Sequence, residues 1–150
     1  MKLTTKQITT ILATLGMITV NALANILPFN GITTAEVSNR LNNYFVPAGY
    51  VFTIWGFIYL ALLVFSFGYI FVVEKKRNYL DEILPLYIFS CVLNSFWIIC
   101  WHFGFFLTTV VLMVTLLITL AMIYLILKKN SPVTKKEALR TRNRNLRLLE

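Results

Sequence analysis

The stretch "VPAGYVFTIWGFIYLALLVFSFGYIFVV", residues 46–73, decides the fold. From Val51 to Val73 it runs 23 residues without an Asp, Glu, Lys or Arg. At about 1.5 Å rise per residue, a helix of that length crosses a hydrocarbon core of roughly 30 Å. A soluble helix would show polar residues along one face at every turn, and this one mostly does not. Three more charge-free runs accompany it: Ile8–Leu27 (20 residues), Ile83–Trp101 (19) and Phe103–Leu127 (25). Spanning strands would instead alternate polar and apolar residues over segments of roughly 10 residues. The 150-residue chain is 58% hydrophobic and 13% charged. It therefore reads as an all-α polytopic membrane helix bundle, with four transmembrane helices at about 8–27, 51–73, 83–102 and 105–127. Residues 1–129 form the bundle and 130–150 a basic tail.

The charges orient it. Lys2 and Lys6 precede the first span, Arg40 alone lies between the first and second, and Lys75, Lys76 and Arg77 separate the second from the third. No Lys or Arg separates the third from the fourth, and eight follow the last. Thirteen of the fourteen thus fall on one side, the positive-inside asymmetry. Both termini and the "EKKRN" loop (74–78) are expected in the cytoplasm, and residues 28–49 outside. The net charge of +8 suits anionic cytoplasmic lipid rather than nucleic acid. "NALAN" (21–25) mimics a signal-peptidase site. The apolar run before it is longer than a usual signal core and carries Asn21 and Asn25, so the segment is kept as a true span.

Between the first two spans, Asn30-Gly31 signals a turn, and Thr33 with Glu36 forms a capping box that starts a short surface helix over about 34–42. Pro47 suits a helix start, where its missing N–H costs nothing. Asp81 and Glu82 favour the N-terminus of the third span. "HFG" (102–104) leaves room for little more than a turn, so spans three and four form an antiparallel hairpin. Cys91 and Cys100 point to opposite sides of one helix and cannot pair there.

Each span also carries a mildly polar or aromatic face, and the four faces are expected to converge. They comprise Thr10, Thr14, Asn21 and Asn25; then Phe52, Trp55, Tyr59 and Ser66; then Ser90, Asn94, Trp97 and Trp101; and last Thr108, Thr115 and Thr119. Such stripes glue transmembrane helices together, and aromatic side chains inside a span also suit a ligand wall. Trp55 and Trp97 sit inside their spans and are the better ligand candidates, whereas Tyr50 and Trp101 read as interface anchors. No acid or base lies within a span, which disfavours proton-coupled transport through a buried carboxylate. His102 is the only histidine. It has no co-ligand that would make a metal site, and no nucleophile or phosphate-loop motif appears. No catalytic residue is assigned and no enzyme is inferred.

"VPAGYVFTIWGFIYL" (46–60) resembles the second-helix motif of the TspO/MBR family, the translocator or tryptophan-rich sensory proteins. Pro47, Gly49, Val51, Phe52, Trp55 and Tyr59 fall on that motif, with Tyr50 where the family usually has Trp. "LNSFWIICWHFG" (93–104) is similar to the third-helix pattern through Asn94 and Trp97, and "NILPFNGITTAEVSNR" (25–40) looks most like a divergent, longer bacterial branch. The resemblance implies a five-helix bundle, often dimeric, that binds planar hydrophobic ligands such as porphyrins. By motif position Phe52, Trp55 and Tyr59 would line the pocket, with Asn94 and Trp97 opposite. Arg40 would lie on the outer side, of the right sign for a porphyrin propionate. The fifth helix of that family is not found, so the chain is expected to be truncated before it. No resident cofactor is expected beyond a possible tetrapyrrole ligand. The expected function is an integral membrane binding, receptor or sensory protein of the bacterial inner membrane. The alternative is a small transporter or permease subunit for a hydrophobic compound. Its expected partners are the lipid bilayer, a hydrophobic small molecule and, through the resemblance, a second copy of itself.

Overall fold

A computed structural model describes residues 3–27, 29–40, 49–72 and 74–130, with the backbone alone at residues 40, 52 and 74–79. Pro47 and the tail from 131 onward lie outside the described residues, as do the side chains of Arg40 and Phe52. The described chain forms five helices: α1 (Thr5–Ile26), α2 (Thr34–Arg40), α3 (Ile54–Gly68), α4 (Glu74–His102) and α5 (Phe106–Asn130). No strand occurs among the described residues. Four of the helical segments are long and apolar enough to cross a membrane, and α2 is the short helix between the first two. Helices dominate because a chain in hydrocarbon must satisfy every backbone group within the segment itself.

The helix ends follow local chemistry. α1 begins three residues before the expected span because Thr4 and Gln7 form a reciprocal capping box, which the charge-free run does not reveal. The Thr4 N–H donates to Gln7 Oε1 at 2.9 Å, and the Gln7 N–H donates to Thr4 Oγ1 at 3.4 Å. The box expected at Thr33 and Glu36 starts α2 in the same way, at 2.6 and 3.3 Å. α3 is shorter than the expected 51–73, with 3-10 turns at Gly49–Thr53 and Tyr69–Phe71 on either side. The expected "EKKRN" loop is instead the opening of α4, which starts at Glu74. Glu, Lys and Arg are good helix formers, and span limits drawn from hydropathy miss a helix that runs out of the apolar layer. Asp81 and Glu82 therefore lie within α4 rather than at its start. α4 ends in a Schellman arrangement. There the Phe105 N–H donates to Cys100 O at 3.0 Å and the Gly104 N–H to Trp101 O at 3.2 Å. Gly104 takes φ +75°, a conformation that strains any side-chain-bearing residue.

α1 is the hub. It packs on α3 and on α4, while α5 packs chiefly on α4, its hairpin partner. Three polar faces therefore converge instead of four. In α5, Thr119 is buried, Thr115 is half-buried and Thr108 is exposed, with Thr109 buried beside it. The core cluster joins Met17, Tyr87 and Cys91, with Tyr59, Leu62 and Phe65 from α3 and Ile123 from α5 packed around it. Cys91 and Cys100 are both free thiols.

Two polar contacts tie α1 to its neighbours within the apolar layer. Thr14, Ser66 and Tyr87, one from each of α1, α3 and α4, form a triangle of hydroxyls at 2.6, 2.7 and 3.0 Å. Thr14 Oγ1 also lies 2.9 Å from Thr10 O, and Ser66 Oγ 2.8 Å from Leu62 O. Each hydroxyl owns one proton, and only Thr14 and Ser66 have a backbone acceptor at hand. The economical solution is a chain in which Tyr87 donates first and the last hydroxyl donates to a carbonyl. Seven residues further along α1, Asn21 Nδ2 donates to Asn94 Oδ1 of α4 at 2.8 Å. At the end of the bundle nearer Lys6, that residue bridges to Asp81 at 2.6 Å while the Tyr69 hydroxyl donates to the same carboxylate. Gln7 Nε2 donates to the carbonyl of Ile70 at 3.3 Å.

Since Tyr87 supplies the first proton of that chain, Tyr87→Phe is expected to destabilise the bundle by about 1 kcal/mol, the scale of interhelical hydrogen bonds in membranes. Denaturant titration in detergent micelles measures this, and an unshifted midpoint would contradict the chain as drawn.

Candidate functional site

Beyond the hydroxyl triangle, toward the end of the bundle that carries α2, aromatic rings replace hydroxyls. Trp55 and Tyr59 are one helical turn apart on α3, as are Trp97 and Trp101 on α4, so each pair shares a face. The four rings form one ladder. The centroids of Tyr59 and Trp55 lie 6.2 Å apart, those of Trp55 and Trp97 5.6 Å, and those of Trp97 and Trp101 6.0 Å. Interplanar angles of 24–29° make all three contacts stacked. Phe106 of α5 closes the ladder edge-on against Trp101 at 5.6 Å. All three tryptophans of the chain stand in it.

A cavity of about 170 Å³ opens beside the ladder. The aromatic residues Trp55, Tyr59 and Trp97, the polar residues Asn21, Asn25 and Thr34, and Ile98 line it. Of the residues expected at the site, Trp55, Tyr59 and Trp97 thus come together around one space. Asn94 does not line it; buried behind Asn21, it accepts that residue's amide hydrogen and so orients it. Pro47 and the Phe52 side chain lie outside the described residues, and Gly49 opens the 3-10 turn that leads into α3.

Three further residues belong to the site. In the sequence Asn21 and Asn25 belong to a converging polar stripe that suits packing as well as lining, and their position beside the cavity follows from how α1 is rotated by the Thr14 and Asn21 contacts. Thr34 comes from α2, whose docking over the bundle no periodicity reports. Trp101, expected as an interface anchor, is half-buried and donates its Nε1–H to the carbonyl of Thr34 at 3.3 Å, pinning α2 over the ladder. Tyr50 is largely exposed, as expected of an anchor.

His102 lies apart from the cavity. It is fully buried, edge-on to Phe29 at 5.8 Å, with Nδ1 2.8 Å from the Ile98 carbonyl. Because a carbonyl can only accept, Nδ1 carries a proton. Among the described residues Nε2 has no partner, and neither does Thr34 Oγ1. No group of three His, Cys, Asp or Glu side chains that could hold a metal gathers among the described residues. What the arrangement can do is clasp a flat apolar surface against stacked indoles and offer hydrogen bonds along one edge.

The family model described as TSPO-like protein matches residues 7–143, nearly the whole chain. No curated protein and no solved structure matches. The match takes in α1 through α5, and with them every residue that lines the cavity. It agrees with the resemblance carried by residues 46–60 and 93–104. This chain, an integral membrane helix bundle, belongs to the TSPO-like protein family.

Proposed function

We propose that the protein binds a planar hydrophobic ligand, of the tetrapyrrole class or similar, between α1, α3 and α4. The observation that carries this is the ladder of Tyr59, Trp55, Trp97 and Trp101 standing beside a cavity with amide and hydroxyl groups on its other side. Offset-stacked aromatic faces favour flat conjugated ligands, and a few polar groups suffice to orient them. A binding or sensory role fits a cavity whose polar lining residues carry amides and hydroxyls. Transport remains the alternative, and no particular contact favours it.

The enclosed volume is smaller than the roughly 300 Å³ at which drug-sized sites begin. A macrocycle would therefore enter by one edge, with the rest of the ring outside the cavity. Protoporphyrin IX is expected to quench the tryptophan fluorescence of the purified protein saturably. Trp55→Ala and Trp97→Ala should each weaken binding about ten-fold, the loss of one stacked ring at about 1 kcal/mol or more. Unchanged affinity in both variants would remove these residues from the site.

The charge asymmetry supports placing both termini in the cytoplasm. In a background with Cys91 and Cys100 replaced by alanine, Phe103→Cys should react with a membrane-impermeant maleimide in intact cells, and Leu3→Cys only after lysis. The reverse pattern would invert the topology.

A further inference from the structure

Among the polar groups that line the cavity, the Thr34 and Tyr59 hydroxyls can donate or accept, whereas Asn21 has a fixed hydrogen-bonding sense. Asn21 Nδ2 lies 2.9 Å from the carbonyl of Met17 and 2.8 Å from Asn94 Oδ1. The Met17 carbonyl can only accept, so the amide orientation of Asn21 is forced, and both its hydrogens are already used. What remains is Oδ1, an acceptor. It takes no hydrogen bond from the described residues. Nor is it among the buried polar atoms without a partner, which are Thr34 Oγ1 and His102 Nε2. Asn21 lines the cavity, and its Oδ1 is the polar atom it can present there. Asn25, one turn further along α1, donates Nδ2 to the carbonyl of Asn21 at 3.1 Å and leaves its own Oδ1 as a second acceptor.

Size narrows the ligand further. The cavity's volume of about 170 Å³ is close to the roughly 150 Å³ of an apolar cavity that takes benzene. A space of that size, open along part of its surface, receives one or two rings of a ligand. Stacked indoles on one side fix the plane of those rings, and the acceptor of Asn21 meets their edge.

Resting on the function proposed above, we propose that the cavity selects a one- or two-ring aromatic unit bearing an N–H or O–H donor on its edge. Indoles and the terminal ring of an open-chain pyrrole pigment are of this class, and Asn21 Oδ1 is the specificity-determining acceptor. A closed porphyrin turns its N–H groups toward its own centre and has no such donor on its rim. Asn94 acts through Asn21 by holding that amide in place.

Indole and benzofuran test this, since they share shape and differ in whether the edge carries N–H or a bare oxygen. Isothermal titration calorimetry of the purified protein in detergent micelles, with protein-free micelles subtracted, should show indole binding about ten-fold tighter, the cost of leaving a buried acceptor unpaired. Asn21→Ala should bring the ratio of the two affinities close to one. Trp55→Ala should weaken both ligands and leave the ratio intact. Equal affinities in the unaltered protein would overturn the proposal, whether or not Asn21→Ala folds. So would a ratio that survives Asn21→Ala. If neither small ligand binds while protoporphyrin IX still quenches, the donor-edge proposal falls and the planar-ligand function stands. If protoporphyrin IX fails as well, both fall.

Discussion

Hydrocarbon supplies no hydrogen-bond partners, so the polar groups of the spans must be satisfied inside the protein. In this molecule that requirement falls on α1. Thr14 meets Ser66 and Tyr87 at one level, and Asn21 meets Asn94 at another. Two contacts seven residues apart on one helix fix both its rotation and its depth against α4, and the first also captures α3. Each bond is modest in energy, but the alternatives to this register would leave hydroxyls and amides facing lipid. Shape specification is the larger effect.

The site follows from that register. With α1 held so, Asn21 and Asn25 stand across a cavity from Trp55 and Tyr59 of α3 and Trp97 of α4. Asn21 is used twice, donating to the frame through Nδ2 and leaving Oδ1 for the cavity. Trp101 is also used twice, stacking on Trp97 while its Nε1–H holds the carbonyl of Thr34. Frame and cavity lining therefore share residues, and a change that loosens one alters the other.

Much of this was legible along the chain. Long charge-free runs predict four crossings because helix rise and bilayer thickness are both constant. The i, i+4 spacing of Trp55 with Tyr59 and of Trp97 with Trp101 predicts shared faces, and residues 46–60 carried the family. The limits of the helices were less legible. α4 runs back to Glu74 through residues that hydropathy assigns to a loop, because helical propensity and membrane depth are independent. Thr108 is exposed although it shares a helical face with Thr119, because α5 packs chiefly on α4 and no other helix among the described residues covers its outer turns.

By itself, the sequence determined the class of fold, the number of spans and the aromatic faces of α3 and α4, because these depend on composition and spacing within single helices. Only the tertiary structure decided that Asn21 lines the cavity while Asn94 stands behind it. It alone also set Thr34 over the bundle, where its carbonyl meets the Trp101 N–H. Those outcomes depend on how helices far apart in the chain are rotated against one another. Period alone cannot report that rotation, since one polar stripe serves equally well for packing and for lining a cavity.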